Sequence, residues 1–192
     1  MKQIKGFTLI EMLVVLMIIA IILPATFTIL YNIMQQQVKL HKLTEAKRQG
    51  DYVMSFIKDT ILTDIKGIQD GPDVTATAIC ANVGVISTTN DGAGWHFIHK
   101  NSIPGSTPET LQFAIVGTNV VYTDPLDVQS NLNSTQVQIT REGSLPFIEC
   151  FKKSNEVLPL IHINYRVTYT DTEPANRKTQ LFYTTRIRLR NE

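Results

Sequence analysis

The sequence predicts an α+β fold, in which one long N-terminal helix packs on a mainly antiparallel β-sheet head. Three observations predict it. From Phe7 to Tyr31 the side chains are almost all apolar, and Glu11 is the one charge among them. A stripe of apolar residues at three-to-four spacing follows, which is the pattern of an amphipathic helix. The rest of the chain is a series of short β-branched or aromatic runs separated by turn-forming residues, the pattern of strands. The chain has 192 residues, enough for one modest core once the apolar segment is set aside.

The apolar run comes first. A run of this length spans a hydrocarbon core of ~30 Å at ~1.5 Å rise per residue. A secretory signal peptide has a shorter apolar stretch, ~7–15 residues, closed by a small-residue cleavage site. Here the run continues, and no Ala-x-Ala-like site closes it. A plain signal anchor accounts for the hydrophobicity but not for a carboxylate just inside the run. An ionised acid costs ~2.5–3.5 kcal/mol at the centre of a membrane helix, less near the interface, and is normally kept only with a partner. Downstream, the next cation is Lys39, far beyond contact. The expected partner of Glu11 is therefore a terminus, a lipid head group or another chain; the alternative is a tolerated interfacial glutamate. Pro24 lies inside the span and is expected to kink it or open its hydrogen bonding locally.

The helix is expected to continue past the membrane. Gln35-Gln36-Gln37 marks a polar exit. Val38, Leu40, Leu43 and Ala46, then Val53, Phe56, Ile57, Ile61 and Ile65, form the stripe, clearest from Tyr52 onward. Gly50 interrupts it, at about 1 kcal/mol relative to alanine. Lys66-Gly67 reads as the C-terminus of the helix and Asp70-Gly71-Pro72-Asp73 as a turn. The apolar face needs a cover, and a sheet is the expected one.

Nine runs predict that sheet: Val74–Cys80, Val83–Thr88, Trp95–His99, Leu111–Val116, Val120–Thr123, Gln136–Thr140, Phe147–Phe151, Leu160–Thr170 and Leu181–Leu189. Turns fall at Asn90-Asp91-Gly92, Pro104-Gly105, Asp124-Pro125, Arg141-Glu142-Gly143 and Glu173-Pro174-Ala175-Asn176. His162–Tyr169 and Thr179–Leu189 alternate well and read as a hairpin over a polar loop. On its second strand Arg186, Arg188 and Arg190 share one face, read as solvated rather than as a binding stripe, with Ile187 and Leu189 on the other.

Lys5-Gly6-Phe7-Thr8-Leu9-Ile10-Glu11-Met12-Leu13-Val14-Val15-Leu16 resembles the leader and helix start of type IV prepilins and type II secretion pseudopilins, which carry a class III signal. In that family an inner-membrane aspartyl peptidase cuts after the glycine and methylates the new N-terminal amine. The resemblance implies cleavage between Gly6 and Phe7, N-methylation of Phe7, and a role in assembly for Glu11. The new amine of one subunit can pair with Glu11 of the next, which would make the glutamate a register mark, although desolvation offsets much of the attraction. The implied division is a leader at 1–6, a membrane helix at 7–31, a helix extension packed on the head at 32–67, and a β-rich head at 68–192. Lys2 and Lys5 hold the leader inside. Lys39, Lys42, Lys47 and Arg48 follow the span closely, so charge counting alone does not put the head outside; the resemblance does. It also implies partners: other pilins, the prepilin peptidase, an inner-membrane assembly platform and membrane lipid. The late strands and the helix around Tyr52 to Asp59 resemble minor pilins or pseudopilins that prime assembly. A membrane-anchored binding head at a filament tip, or a competence pilus subunit for DNA uptake, is the alternative.

Other chemistry finds little footing. The net charge of +1 and the scattered basic residues point to no specific nucleic-acid face. Phosphate loops, HExxH and nucleophile elbows are absent, so the chain is read as no enzyme, with no cofactor. His96 and His99, three apart in a strand, point to opposite faces, and Asp124, Asp127 and Asn131 fit no calcium motif, so no metal is expected. Cys80 and Cys150 are either a disulfide or two buried free thiols. The disulfide is preferred, because a head outside the cytoplasm sits where disulfides persist.

Overall fold

The computed structural model describes residues 8–72, 77–80, 83–84, 86–89, 91–103, 106–154, 159–170 and 179–189. Its order is one helix, α1 (Leu9–Asp64), and eleven strands: β1 (Ile65–Asp70), β2 (Thr77–Ala78), β3 (Ile86–Thr89), β4 (Trp95–His99), β5 (Thr110–Val116), β6 (Asn119–Thr123), β7 (Gln129–Asn131), β8 (Val137–Thr140), β9 (Ile148–Phe151), β10 (Leu160–Tyr169) and β11 (Gln180–Arg188). The class is α+β. The chain divides into two compact units, Met1–His41 and Lys42–Glu192.

In the first unit, residues 9–41 of α1 are exposed throughout. This is the one helix among the described residues that is long and apolar enough to cross a membrane. It stays helical through Pro24, and the Thr28 hydroxyl donates to the Pro24 carbonyl at 2.9 Å. A proline removes one backbone donor, and the helix continues past the position where a kink or a local opening of its hydrogen bonding is expected.

In the second unit, α1 buries Ala46, Gly50, Val53, Ile57, Thr60 and Ile61, one face at three-to-four spacing. The buried stripe starts at Ala46; Val38, Leu40 and Leu43, expected on it, are exposed. Beside that face lie the Lys47–Asp51 and Arg48–Glu45 ion pairs, whose cations are exposed, so the pairs contribute little to stability.

Two sheets receive the buried stripe. The six-stranded sheet has the order β2-β1-β4-β5-β6-β7; the five-stranded sheet runs β11-β10-β9-β3, with β8 also on β10. Phe56 of α1 meets Phe113 of β5 and Tyr122 of β6, at ring centroid distances of 6.3 and 5.2 Å. Ile139, Ile148, Ile161 and Ile163 bring the other sheet into the same core. Asn133 links the sheets: its Oδ1 accepts from the Val120 amide of β6, and its Nδ2 donates to the Val137 carbonyl of β8.

The helix ends at Asp64, not at Lys66-Gly67. Ile65 continues the apolar spacing, but its side chain is buried from a strand. The Lys100 amide takes the Asp64 carbonyl at 2.8 Å, and β1 then pairs antiparallel with β4 through a bulge between Ile65 and Gly67. Strand β4 has the expected bounds, and β10–β11 form the expected hairpin with Leu160 opposite Arg188 and Thr168 opposite Gln180. Strands β1 and β7 are additional to the predicted set. The expected loop Glu173-Pro174-Ala175-Asn176, the Pro104-Gly105 turn, Asp73, Asn90, Arg190 and the first three residues of the run from Val74 lie outside the described residues.

Candidate functional site

The helix begins with a reciprocal pair of bonds. Four amides at a helix N-terminus lack an intrahelical acceptor. Thr8, just before α1, is the N-cap, and Glu11 is the third helical residue. The Glu11 amide donates to Thr8 Oγ1 at 3.4 Å, and the Thr8 amide donates to Glu11 Oε2 at 2.9 Å. That is a capping box, which satisfies one donor at each end of the turn. The Thr8 hydroxyl also donates to Glu11 Oε2 at 2.9 Å, and the Met12 amide closes the first turn on the Thr8 carbonyl at 3.3 Å. The position further favours an anion through the helix dipole.

The capping box adds to the charged partner expected for Glu11 in a terminus, a lipid head group or another chain: Thr8, three residues upstream, supplies two neutral donors within the chain. The signal was present as Thr8-Leu9-Ile10-Glu11, the Thr-x-x-Glu pattern ahead of an apolar run. Among the described residues both bonds fall on Oε2. Gly6 and Phe7 lie outside the described residues.

The head has a second arrangement of note, where α1 is seated on the five-stranded sheet. Gly50 is buried, and the Tyr165 hydroxyl donates to its carbonyl at 2.8 Å. Tyr183 stacks on Tyr165 at 5.3 Å, and its hydroxyl reaches the Lys47 carbonyl at 3.0 Å and Asp51 Oδ1 at 2.9 Å. Burial raises the pKa of both tyrosines well above the usual phenol range, and the Asp51 carboxylate adds to the effect. The Lys47 ammonium holds Asp51 below the usual carboxylate range.

Cys80, in the turn after β2, is bonded to Cys150 of β9 with a Cα–Cα distance of 5.9 Å, and both are buried. The bond ties a strand partner of β1 in one sheet to the other sheet. His96 Nδ1 lies 3.3 Å from Thr110 Oγ1 and His99 Nδ1 lies 3.7 Å from a Glu109 oxygen, so the two imidazoles have separate neighbours. Asp124 Oδ1 accepts from the Leu126 and Val128 amides, a turn-forming use of the carboxylate. Among the described residues no group of three or more His, Cys, Asp or Glu side chains is placed to hold a metal. On β11, Arg186 and Arg188 are exposed while Ile187 and Leu189 are buried.

Residues 1–23 match the prokaryotic N-terminal methylation motif. The methylation motif is the class III signal of type IV pilins, and it points to a type IV pilin-like structural subunit. With the apolar helix behind it, the motif supports membrane anchoring, assembly with other pilins and processing by a prepilin peptidase. It covers the capping box and about the first two thirds of the apolar run, and ends before Pro24. No curated protein and no solved structure matches the chain.

Proposed function

We propose that the chain is a structural subunit, a minor pilin or pseudopilin, of a type IV pilus or a type II secretion pseudopilus. In this reading residues 1–6 are a leader removed by cleavage between Gly6 and Phe7, and Phe7 is then N-methylated. Residues 7–31 cross the inner membrane once, with the leader inside and the head outside. The observation that carries the reading is Glu11 at the third position of an apolar helix, inside the methylation motif, with Thr8 on one carboxylate oxygen only.

The chemistry follows from that geometry. Thr8 keeps the carboxylate at the helix end, where the dipole favours its charge. Cleavage creates an α-amino cation at Phe7, and Glu11 Oε1 of a neighbouring subunit offers it an acceptor. Such a pair is charge-assisted, and leaving either member alone in an apolar bundle is unfavourable. Only the correct axial register satisfies both charges.

Glu11→Leu separates this role from insertion and processing. The variant makes the span more apolar, so its membrane level and leader cleavage should stay near wild type. Its copurification with partner pilins should fall sharply. Normal copurification rejects the pairing, and loss of the protein from the membrane places the role of Glu11 in insertion instead.

A further inference from the structure

Among the described residues the head carries one long strand edge that no other strand covers. The six-stranded sheet ends in β2 and β7, of two and three residues, and the five-stranded sheet ends in β3, of four residues, and β11, of nine. Short edge strands protect a sheet from pairing with another chain. β11 lacks that protection: among the described residues it pairs only with β10.

The parity of the ladder tells which residues present the open edge. The Leu189 amide donates to the Pro159 carbonyl at 3.3 Å, and the Thr179 carbonyl accepts from the Tyr169 amide at 3.4 Å. Odd-numbered residues of β11 therefore turn their backbone groups to β10. Even-numbered residues, Phe182, Thr184 and Arg186 at the centre, turn theirs to the open side, because successive residues of an antiparallel strand alternate sides. Those three side chains are also exposed.

The edge is complementary to itself. Set antiparallel to a second copy about Thr184, it places Thr184 opposite Thr184, Arg186 opposite Phe182 and Arg188 opposite Gln180. No arginine opposes an arginine, a pairing that would be unfavourable. Each Arg186 meets an aromatic ring that is 61% exposed in the single chain. The same pairing already occurs inside the hairpin, where the Arg166 guanidinium lies 5.1 Å from the Phe182 ring centre. On the other face Ile187 meets Leu181. Centring on Arg186 would set two guanidiniums against each other, and centring on Phe182 would leave Arg186 and Arg188 opposite positions beyond the start of β11.

We propose that β11 pairs antiparallel with β11 of a second copy of this chain across a two-fold axis at Thr184, which joins two five-stranded sheets into one. A two-fold contact of this kind closes on itself and makes a dimer, not a growing filament. It thus goes beyond the filament reading and does not rest on it.

The test uses the full chain purified in detergent and oxidised with copper–phenanthroline, with the cross-linked peptides identified by mass spectrometry. In a hydrogen-bonded antiparallel pair the facing Cα atoms lie ~5.5 Å apart, inside the ~4.4–6.8 Å range of a disulfide. Thr184→Cys should cross-link to itself. Gln180→Cys alone should not, but a mixture of Gln180→Cys and Arg188→Cys chains should cross-link to each other. Adding Arg186→Pro removes an outward amide while sparing the ladder to β10; it should keep the thermal midpoint close to that of the Thr184→Cys parent and lower the Thr184→Cys cross-link about tenfold or more. Arg186→Gln, which keeps the amide, should lower it far less. Absence of the Thr184→Cys product overturns the proposal, as does equal self-linking by Gln180→Cys. A folded Arg186→Pro variant that cross-links like its parent also overturns it.

Discussion

Gly50 is the position where a helix-favouring substitution should destabilise the head. Alanine in an exposed helix interior is favoured over glycine by about 1 kcal/mol. At Gly50 an added Cβ would overlap the ring of Tyr183 and lie 2.7 Å from its hydroxyl oxygen. The ring cannot swing away freely. It is stacked on Tyr165 at 5.3 Å with planes 10° apart, and its hydroxyl is tied to Lys47 and Asp51. Displacing it forfeits an aromatic pair worth ~0.5–1.5 kcal/mol and a hydrogen bond worth ~0.5–1.5 kcal/mol net. Against the gain in helix propensity, Gly50→Ala should destabilise the head by up to about 2 kcal/mol, at most a few degrees in thermal midpoint for a domain of this size. The assay is thermal unfolding of the full chain followed by near-ultraviolet circular dichroism, repeated in a Tyr183→Ala background. There the clash is gone, and Gly50→Ala should become neutral or stabilising by up to about 1 kcal/mol. A destabilisation of the same size in both backgrounds refutes the reasoning, as does a more stable Gly50→Ala in the wild-type background.

Two further outcomes are expected of the head. Tyr165 and Tyr183 have pKa values raised above the phenol range by burial, so the folded state holds protons that the unfolded state releases. Their contribution is fully present below about pH 10, the unfolded phenol value, and is lost as pH rises above it; urea titrations at pH 8 to 11 should show that loss, and Tyr165→Phe should flatten it. A wild-type profile that is flat or rising above pH 10 contradicts the assignment. The Cys80–Cys150 bond spans a sequence separation of 70, and a crosslink of that size constrains the unfolded chain by ~4 kcal/mol in the entropy model. The Cys80→Ala/Cys150→Ala variant should lower the denaturant midpoint accordingly, as should unfolding in reductant; a change below about 1 kcal/mol would show that the link contributes little.

Much of this architecture is legible in the residues, because it rests on periodicities that burial enforces. The apolar run, the stripe through Val53, Ile57 and Ile61, and the alternation of β10 and β11 all carry their own signal. The end of α1 does not. Ile65 fits the helical spacing as well as it fits a strand, and the decision falls to the Lys100 amide and to β4, both remote in sequence. Strand β7 is Gln129-Ser130-Asn131, exposed on every residue, so no apolar alternation announces it. Gly50 reads locally as a penalty, and only the tyrosines at 165 and 183 explain why a side chain is unwelcome there. At the N-terminus the signal is local: Thr8 and Glu11 form a capping-box pattern, legible as Thr-x-x-Glu ahead of the apolar run.

In the proposed function the leader is cut at the single bond between Gly6 and Phe7, and the new terminus enters assembly. The N-terminal peptide of the protein isolated from its native membrane decides it. Mass spectrometry should find a chain that begins at Phe7, heavier by one methyl group on its α-amine, and Gly6→Val should leave Met1 or Lys2 as the first residue instead. A wild-type chain that begins anywhere other than Phe7 contradicts the account.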